Sequence, residues 1–539
     1  MDAIGLYASF ADKNQLKKIA RPKLPKYMPS TEVKIMTEAD PEDALKENYG
    51  DSPMVQSAYD DTRVFIKVAN LNVEIENPVW IRARVHSTRI KGQAGFIIIR
   101  EGTQTLQCVI STSAEVSKQM MKYTSGISKE SIVDIFGQCK VPEQAIESSS
   151  ITSFEFYIKK IHVISRSLAT LPFQLEDANK PMTLEEALNE GKETTQAKDQ
   201  KNKKENERAR VSQDIRLNNR YIDLRLPVNQ AIVRLSAAVC QLFREFLMGE
   251  GFIEIHTPKL IAGTSEGGCE VFRTSYFGRS ACLAQSPQLY KQMAIMADLG
   301  RVFEIGPVFR AENSNTHRHL CEFVGLDIEM TIQNSYFEVI DVINKMFFYI
   351  FEGLTTRYAS ELDAVYKYFP FIVPFKWTKE PVTLTFAEAC DLLHAEGIEQ
   401  SVHEDFSTVI EKKLGEIVRR KYETDFYVVH RYPESARPFY TMICKDDPRF
   451  TCSYDVFLRG EEIISGAQRI HDPDLLRKRA IYKDIELSGI QSYIDSFKYG
   501  AFPHGGCGIG LERVVMLFSG IKNIKWTSMF PRDPKRLTP

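Results

Sequence analysis

The sequence lacks the features that mark several large classes of protein. No apolar run is long enough to span a bilayer, so we expect no transmembrane helix and no membrane association. The first ten residues do not join a basic segment to a long apolar stretch, so we expect no secretory signal. The ten cysteines show no C-x-x-C or zinc-like spacing, which favours a reduced cytoplasmic protein without a cysteine metal site.

An excess of charge is also missing. The chain has 69 Lys and Arg against 71 Asp and Glu, so its net charge is −2 and any site for a polyanion must be local. With 43% apolar and 26% charged residues, the composition is that of a globular protein. A length of 539 residues exceeds what one hydrophobic core supports, so we expect about two to four domains.

Two segments show little sign of packed structure. Residues 13–26 contain six basic side chains, two prolines and no acid, and they form either a solvated tail or a basic arm that contacts phosphates. Residues 187–212 are dominated by the run GKETTQAKDQKNKKENERAR, which has no large apolar side chain. We therefore expect an exposed low-complexity insert there.

Five short β-rich runs, separated by Gly, Ser and polar turns, follow the N-terminal region. They occupy residues 79–85, 96–100, 106–110, 132–139 and 154–164. The segment 111–130, between the third and fourth runs, is compatible with a helix. Five strands with a helix before the fourth is the order of the OB-fold, a small barrel that binds single-stranded nucleic acid, although other five-stranded barrels give the same pattern.

Residues 303–330 are predicted to form a strand, a polar loop and a second strand. The pattern places Arg310 and Glu312 on one face of the first strand, and Asp327 and Glu329 on one face of the second. The loop contains His317, Arg318 and His319. Cations from a loop and carboxylates on strands suit a phosphorylated, amine-bearing ligand such as ATP. The alternative is a hairpin with surface salt bridges.

Two later segments carry further candidates. In residues 454–472, Asp455 and Glu462 are suited to Mg²⁺, which is typically held by one or two carboxylates and substrate phosphates. Arg469 follows on a predicted strand-to-helix turn. Residues 506–518 join a glycine run to an apolar helix, which suggests a phosphate loop, but the spacing fits neither the Rossmann nor the P-loop fingerprint.

Together these segments resemble the class II aminoacyl-tRNA synthetases. The three motifs of that family are matched in order by GFIEIHTP (251–258), FRAE with THRH (309–319) and GIGLER (508–513). A barrel ahead of them is similar to the subgroup for aspartate, asparagine and lysine. The segments most similar to its cytosolic eukaryotic aspartate-specific branch are LAQSPQLYKQ (283–292), SGAQRIHD (465–472) and FPRDPKRLTP (530–539). The resemblance covers about residues 78–539 without the insert.

The resemblance implies an α+β fold, with an N-terminal OB-fold β-barrel and a class II catalytic domain built on an antiparallel sheet flanked by helices. The implied division is a loosely ordered basic extension at 1–76, an anticodon-binding barrel at 77–168, a hinge with the insert at 169–218 and a catalytic domain at 219–539. The first motif, a helix and strand at 230–258, would form the interface of a homodimer, which Pro258 crosses.

The resemblance also implies the chemistry of the site. Arg310 would hold the α-phosphate of ATP and the carboxylate of the amino acid, and Arg513 would contact adenine and the γ-phosphate, so these two are the implied catalytic residues. The implied ATP-binding residues are Arg310, Glu312, Arg318, His319, Leu320, Phe323, Glu462, Gly510, Leu511, Glu512 and Arg513. The implied Mg²⁺ ligands are Asp455, Glu462 and Ser465.

The amino-acid pocket separates the members of the subgroup. The implied aspartate-binding residues are Glu266, Gln288, Lys291, Arg310, Asp327, Ser465 and Arg469. Lys291 and Arg469 are cations that match the partners of a β-carboxylate, which favours aspartate over asparagine or lysine. Asp327 would receive the α-amino group, and the loop around Glu266 would close over the substrate. Taken alone, Lys291 is also compatible with a solvated lysine on a helix, an alternative that weakens once Arg469 is counted with it.

In the barrel, Phe96 would stack on an anticodon base of aspartate tRNA, while Gln107 and Glu176 would read base edges. The alternative is that Phe96 belongs to the barrel core. The implied enzyme activates L-aspartate with ATP and transfers it to aspartate tRNA in the cytoplasm, and membership of a larger multi-synthetase assembly stays open.

Three other functions compete with this interpretation. Residues 291 and 469 oppose an asparagine- or lysine-specific synthetase. The barrel and the basic arm oppose an aspartate–ammonia ligase, which has a similar catalytic fold but no use for RNA-binding parts. Arg310, Glu462 and Arg513 oppose a non-catalytic RNA-binding paralogue.

Overall fold

The computed structural model describes residues 38–57, 63–190, 210–262 and 271–539. The chain divides into two compact units, residues 1–169 and 170–539, which are described separately below. The predicted basic arm and most of the predicted insert lie outside the described residues. Within the described ranges, no helix combines the length and the apolar character that crossing a membrane requires.

The first unit is a closed β-barrel, which confirms the predicted OB-fold. Its strands are β1 (Tyr49–Asp51), β2 (Val79–Lys91), β3 (Ala94–Glu101), β4 (Gln104–Ser111), β5 (Ile132–Lys140) and β6 (Glu155–Ser165). They lie in the order β1-β6-β4-β3-β2-β5, and pairing of β5 with β6 closes the barrel. Helix α1 (Lys118–Ser125) precedes β5, and the Ser117 hydroxyl caps it by accepting the backbone N–H of Met120.

The second unit combines helices with one large sheet and one small sheet. Its helices are α2 (Leu175–Ala178), α3 (Leu184–Asn189), α4 (Gln213–Asn218), α5 (Arg220–Asp223), α6 (Pro227–Gly249), α7 (Gln288–Met296), α8 (Phe337–Arg357), α9 (Ala359–Tyr368), α10 (Phe386–Ala395), α11 (Thr408–Tyr422), α12 (Pro473–Tyr482), α13 (Gln491–Ser496) and α14 (Leu511–Ser519). Its strands are β7 (Ile253–Glu254), β8 (Leu260–Ile261), β9 (Arg273–Tyr276), β10 (Arg279–Leu283), β11 (Arg301–Phe309), β12 (Glu322–Thr331), β13 (Val382–Thr385), β14 (Phe426–His430), β15 (Ser453–Leu458), β16 (Glu461–Gln468) and β17 (His504–Gly510).

Eight strands form the large sheet in the order β13-β14-β15-β16-β17-β12-β11-β7. The six central strands are antiparallel, while β13 and β7 pair in parallel at the two ends. This architecture confirms the predicted α+β catalytic fold. The small sheet has the order β8-β10-β9.

Alternation along the strands gives the large sheet one apolar face and one polar face. In β12, Leu326, Ile328 and Met330 pack into the main core, so Asp327 and Glu329 project from the opposite face. Helices α6, α8 and α14 contribute to the same core. The helix predicted in the first motif, at 230–258, is therefore present as α6, with its apolar stripe buried inside the unit.

Two local predictions about the motifs are wrong. Pairing of β11 with β12 ends at Phe309, so Arg310 and Glu312 lie in the following loop and not on a strand face. Residues 504–510 form strand β17, so the glycine run is part of the sheet and not a turn. The alternative for residues 303–330 is right about the hairpin, because β11 and β12 are antiparallel neighbours, but its surface salt bridges do not apply to the β12 carboxylates, which are buried.

The insert was predicted at residues 187–212, but its first four residues, 187–190, belong to the folded unit. Helix α3 continues to Asn189, and Ala187 is buried in the main core. The next residue, Glu190, accepts hydrogen bonds from the indole Nε1 of Trp526 at 2.7 Å and from the amide of Gln213 at 3.1 Å. Composition alone did not predict these contacts, because a single short amphipathic turn is enough to pack the first residues of a polar segment against the core.

Candidate active site

A cavity of about 450 Å³ opens on the polar face of the large sheet. It gathers residues that lie far apart in the sequence. The predicted residues on its wall are Gln288, Arg310, Glu312, Arg318, His319, Leu320, Phe323, Asp327, Glu462, Ser465, Arg469, Gly510, Glu512 and Arg513. Of the other predicted residues, Lys291, Asp455 and Leu511 belong to the described part of the chain but are absent from this wall, and Glu266 lies outside the described residues.

Four charged groups form a buried cluster at one end of the cavity. Lys291 Nζ donates to Asp327 Oδ1 at 3.0 Å and to the carbonyl of Cys507 at 2.8 Å, and it lies 3.5 Å from Glu329 Oε2. Arg469 Nε donates to Glu329 Oε1 at 2.9 Å. Because Lys291 is only 1% exposed, its interpretation as a solvated helix lysine is wrong.

The cluster keeps its charges through mutual pairing. Burial acts to raise the pKa of Glu329, but the neighbouring Arg469 and Lys291 outweigh burial and lower it. Burial likewise opposes the charge of Arg469, and Glu329 raises its pKa in return. Arg469 Nη2 also lies 3.3 Å from the Gln288 amide oxygen, which it donates to. Asp327 and Arg469 therefore present one negative and one positive group to the cavity.

The glycines of β17 make room for the carboxylates of β12. Gly508 lies opposite Asp327 and Gly506 opposite Glu329 in the strand pairing. A Cβ at Gly508 would lie 3.1 Å from Asp327 Oδ1, and one at Gly506 would collide with the Glu329 carboxylate and the carbonyl of Ile328. Glycine is needed at both positions because the carboxylates of Asp327 and Glu329 occupy the space above strand β17. The glycine run therefore makes room for carboxylates, and the phosphate-loop interpretation is wrong.

Three arginines mark the other end of the cavity. The Arg310 guanidinium lies 5.7 Å from the centroid of the Phe323 ring. Arg513 Nη1 donates to the carbonyl of Glu462 at 3.0 Å, and its Nη2 donates to the carbonyl of Arg318 at 3.4 Å. Helix α14 is thereby tied to β16 and to the loop after β11. Guanidinium groups that lie together beside an aromatic ring are suited to binding a nucleoside triphosphate.

Two other residues of the predicted ATP site have structural partners. The Glu512 carboxylate accepts the backbone N–H of Val324 at 3.1 and 3.2 Å, and burial raises its pKa to about 7. His319 Nδ1 lies 2.7 Å from the Thr316 hydroxyl. Burial and the nearby Arg513 lower the pKa of His319, so its imidazole is neutral at pH 7.

The predicted metal carboxylates lie on adjacent strands, β15 and β16. Arg437 Nη2 donates to Asp455 Oδ2 at 2.7 Å, and its Nη1 donates to the Ser465 hydroxyl at 2.6 Å. Asp455 Oδ1 is buried and has no hydrogen-bond partner in the described part of the chain. Burial and Asp455 raise the pKa of Glu462 to about 8. Two adjacent carboxylates with an unsatisfied oxygen fit Mg²⁺ that is completed by phosphates, while no cluster of three metal-ligating side chains occurs among the described residues.

In the first unit, Phe96 and Gln107 share the outer face of the barrel. Phe96 pairs across the strands with Val109, and Gln107 is two residues from Val109 on the same side of β4. Phe96 is 45% exposed, so its interpretation as a core residue is wrong. The Gln107 amide donates to Glu155 at 2.5 Å. Glu176 lies in the second unit, exposed in the first turn of α2.

Two family models match the chain. Residues 79–164 match the OB-fold nucleic acid binding domain, and residues 212–534 match the class II tRNA synthetases of the D, K and N group. The second match covers more than half of the chain. The chain belongs to the class II tRNA synthetases. The family resemblance of the sequence motifs is thereby confirmed.

Individual members of this family are similar over most of their length. The chain is 50% identical to the cytoplasmic aspartate–tRNA ligase of Mus musculus over 499 residues, which cover 92% of this chain and 96% of that one. An aspartyl-tRNA synthetase structure from Entamoeba histolytica has 42% identity and a TM-score of 0.81, covering 95% of this chain and 100% of the other. The asparaginyl-tRNA synthetase of Pyrococcus horikoshii, complexed with asparaginyl-adenylate, has 25% identity and a TM-score of 0.73, with coverage of 88% and 99%.

The cavity of this class II tRNA synthetase contains two charged residues that the sequence did not reveal. One is Arg437, described above, which lies in a segment without a recognisable motif. The other is Glu411 of α11, whose Oε2 lies 3.4 Å from Arg318 Nη1 and whose pKa burial raises to about 7. A close approach of Gly415 to Gly460 brings α11 against β16, and those two glycines were the available signal.

Proposed function

We propose that this class II tRNA synthetase is an aspartate–tRNA ligase that acts in the cytoplasm. It converts L-aspartate and ATP to aspartyl-adenylate and pyrophosphate, and then transfers the aspartyl group to the 3′ end of aspartate tRNA. The observation that carries the proposal is the buried pairing of Lys291 and Arg469 with carboxylates at one end of the cavity. The similarity to cytoplasmic aspartate–tRNA ligases supports both the activity and the compartment.

The charges at that end of the cavity match aspartate better than its relatives. Lys291 and Arg469 balance Asp327 and Glu329 there, and in this proposal Arg310 adds a positive charge from the other end of the cavity. Aspartate carries one net negative charge at neutral pH, whereas asparagine carries none and lysine carries a net positive charge. A cationic side chain would place a further positive charge beside Lys291 and Arg469, and a neutral side chain would lack the carboxylate that these cations can bind.

Each charged group of aspartate has a partner in this arrangement. We assign the α-carboxylate to Arg310 and the α-ammonium group to Asp327. The β-carboxylate is assigned to Arg469, which lies on the cavity wall, and Lys291 supports it from a more deeply buried position. Gln288, which accepts from Arg469, and the loop that contains Glu266 complete the proposed pocket.

Activation joins two anions, so its main barrier is electrostatic. The aspartate α-carboxylate attacks the α-phosphorus of ATP, the bond to the bridging oxygen breaks and pyrophosphate leaves. Arg310 neutralises both the attacking carboxylate and the α-phosphate, and Arg318 and Arg513 hold the outer phosphates. Charges that are fixed before the reaction stabilise the transition state without reorganisation. Phe323 and Arg513 provide faces on which the adenine stacks.

Asp455 and Glu462, with Ser465 beside them, would hold Mg²⁺. When bound, the ion would neutralise phosphate charge and polarise the phosphoryl oxygens. The unsatisfied Oδ1 of Asp455 supports this assignment, and so does the raised pKa of Glu462, because a cation would relieve the repulsion between the two carboxylates. Arg437 meanwhile holds Asp455 and Ser465 in orientation.

In the second step, the 3′-terminal hydroxyl of tRNA attacks the carbonyl carbon of aspartyl-adenylate and AMP leaves. His319 is neutral and engaged by Thr316, so no side chain in the cavity is assigned as a general base. The hydroxyl proton can pass to a phosphate oxygen of the leaving AMP. The barrel binds the anticodon in this proposal, with Phe96 as the stacking platform and Gln107 as a reader of base edges.

We also propose a homodimer, formed through the surface around Pro258. The apolar stripe of α6 is buried within the unit and is not available to a partner. Met248, Ile253 and Leu260 are instead exposed apolar residues, and β7 is the outer strand of the sheet. A second copy would cover this apolar edge in a two-fold arrangement. Light scattering at micromolar concentration tests it, since a fully active monomer would refute the assignment.

One pair of assays tests the proposed activity. ATP–pyrophosphate exchange should depend on aspartate, with asparagine and lysine giving little signal, and charging of aspartate tRNA should follow. Exchange with asparagine or lysine would identify a different synthetase. Synthesis of asparagine from aspartate and ammonia would identify an aspartate–ammonia ligase, and a lack of exchange with tRNA binding intact would identify an RNA-binding paralogue.

A further inference from the structure

Two thiols face each other in the segment that borders the cavity. Cys444 Sγ lies 3.9 Å from Cys452 Sγ. Cys444 is buried and Cys452 is half-buried. Residues 443 and 451 form an antiparallel bridge, so the side chains at 444 and 452 project from the same side of this pair of extended segments. Neither thiol has a role in the proposed aminoacylation.

The same backbone continues into the wall of the amino-acid pocket. Tyr440 and Thr441 line the cavity, and Thr441 forms a backbone bridge with Arg469. The Arg469 guanidinium lies 5.3 Å from the centroid of the Tyr440 ring. On the other side, the Cys452 carbonyl accepts the backbone N–H of Gln468 at 2.9 Å. The backbone around the two thiols therefore contacts the residues on both sides of Arg469, since the Tyr440 carbonyl also accepts the backbone N–H of Ile470 at 2.9 Å.

The surroundings make the two thiols chemically unequal. The hydrogen bond from Cys452 lowers the pKa of Cys444, with help from Arg431 and against the effect of burial. The same contact and burial raise the pKa of Cys452. The other ionisable groups facing the pair are Tyr336, Asp446 and Asp447. Cys444 is thus the thiol that ionises more easily, and thiolates are the nucleophiles in thiol chemistry.

We propose that Cys444 and Cys452 are a modification site, at which a small hydroperoxide forms a reversible disulfide that weakens aspartate binding. The Cys444 thiolate attacks one oxygen of hydrogen peroxide, the O–O bond breaks and hydroxide leaves, giving a sulfenic acid. Cys452 Sγ attacks that sulfur, the S–O bond breaks and the departing hydroxide takes the thiol proton. Two thiols lose two electrons in total, and the peroxide becomes two molecules of water.

The expected consequence follows from the distance. A disulfide requires the sulfur atoms to approach to about 2.05 Å, so the observed separation must shrink by about 2 Å. The segment that carries Tyr440 and Thr441 absorbs part of this movement. A misplacement of about 1 Å in a binding group is enough to lower efficiency by up to about a hundredfold. We expect the KM for aspartate to rise about tenfold and the KM for ATP to stay constant.

The sequence allows the disulfide to be read directly by peptide mapping. Trypsin cleaves after Lys445 and Arg449 but not before Pro438, so the two cysteines fall in separate peptides, 432–445 and 450–459. The full-length protein is treated with hydrogen peroxide, alkylated and digested without reduction. We expect a linked pair of these two peptides that separates when dithiothreitol is added, together with a reversible rise in the KM for aspartate in ATP–pyrophosphate exchange.

Matched variants complete the test. Cys452→Ser and Cys444→Ser should give no linked pair and a KM that peroxide leaves unchanged. Cys390→Ala, which alters a buried cysteine of α10, should respond as the unmodified chain does. The proposal is overturned by the absence of the linked pair after peroxide treatment, by a linked pair with an unchanged KM, or by an equal rise in KM in Cys452→Ser. The proposal rests on the proposed aspartate activity. If that activity is wrong, the reduced protein shows no aspartate-dependent exchange, whereas the linked pair of peptides can be detected without any activity.

Discussion

Gly506 lies directly opposite Glu329 in the pairing of β17 with β12, and the space that a Cβ would need at Gly506 is filled by the Glu329 carboxylate. That carboxylate in turn holds the guanidinium of Arg469 through two hydrogen bonds. The glycine is therefore required by a charged group on the neighbouring strand and not by its own backbone conformation. A glycine two residues before the third motif thus controls the position of a cation in the proposed aspartate pocket.

We expect Gly506→Ala to damage the aspartate pocket. The new Cβ also meets the carbonyl of Ile328, which cannot move without breaking the sheet. Overpacking of this kind costs about 1–3 kcal/mol of folding free energy. The melting temperature should fall and the KM for aspartate should rise, as measured by thermal unfolding and pyrophosphate exchange. Gly249→Ala is the control, because its Cβ would meet nothing within 4 Å. Wild-type values in Gly506→Ala would contradict the collision.

We expect Lys291→Met to impair the use of aspartate far more than the use of ATP. The substitution removes a buried cation and leaves Asp327 and Glu329 with only Arg469 as a counter-charge. Breaking a buried pair in this way costs about 3–5 kcal/mol. Kinetics of pyrophosphate exchange at varied aspartate and varied ATP separate the two effects. Lys345→Met, at an exposed lysine on α8, is the matched control. Unchanged aspartate kinetics in Lys291→Met would remove this residue from the pocket.

The sequence was sufficient to predict the architecture and most of the charged residues on the cavity wall. Strand alternation, helical periodicity and three family motifs are local signals, and they correctly indicated the barrel, helix α6 and the cleft residues on β12 and β16. The arginines and carboxylates could be chosen because their chemistry is tied to short, specific motifs. A residue such as Arg310 is therefore found even when its local strand assignment is wrong.

What the sequence could not predict depends on tertiary packing. Glu411 looks like any exposed glutamate on an amphipathic helix until α11 docks on β16 and buries it beside Arg318. Lys291 belongs to the buried cluster with Arg469, but its position off the cavity wall follows from how α7 packs on β12. The thiol pair likewise arises because two segments meet in space.

Glu190 should make the stability of the second unit depend on pH. Burial raises its pKa from 4.5 to about 7, so between these values the native state holds a proton that the unfolded chain has released. The contribution of Glu190 to the free energy of unfolding must therefore fall as the pH rises through this window, by roughly 3 kcal/mol. Urea unfolding at pH 5 and pH 8, followed by tryptophan fluorescence, measures the change.

The matched variants for that experiment lie on and beside helix α3. Glu190→Gln keeps an oxygen that accepts from Trp526 but cannot ionise, so we expect the pH dependence to become smaller by the share of Glu190, while buried Glu411, Glu462 and Glu512 keep theirs. Glu185→Gln changes an exposed carboxylate of the same helix and should leave the pH dependence intact. An identical pH profile for Glu190→Gln and the unmodified chain would show that Glu190 is not buried as described.

Phe96→Ala should weaken tRNA charging without affecting adenylate formation. An exposed aromatic ring that stacks on a base contributes about 1–3 kcal/mol, so we expect the KM for tRNA to rise by about five- to a hundredfold. Tyr499→Ala removes an exposed ring from the catalytic unit and serves as the control. Charging kinetics at varied tRNA and pyrophosphate exchange without tRNA give the two readouts. An unchanged KM for tRNA would exclude Phe96 from the anticodon contact.

Removal of residues 1–30 tests the predicted basic arm. If its lysines and arginines contact phosphates, they release counterions on binding, and each lost contact lowers the slope of log affinity against log salt by roughly 0.7–0.9. We expect weaker tRNA binding at low salt and a shallower slope, measured by titration at several salt concentrations. Adenylate formation should be unaffected, because the arm lies outside the three catalytic motifs. A control in which the six basic residues are changed to Gln separates charge from length, since it should reproduce the deletion. An unaltered slope in both proteins would identify the segment as a solvated tail.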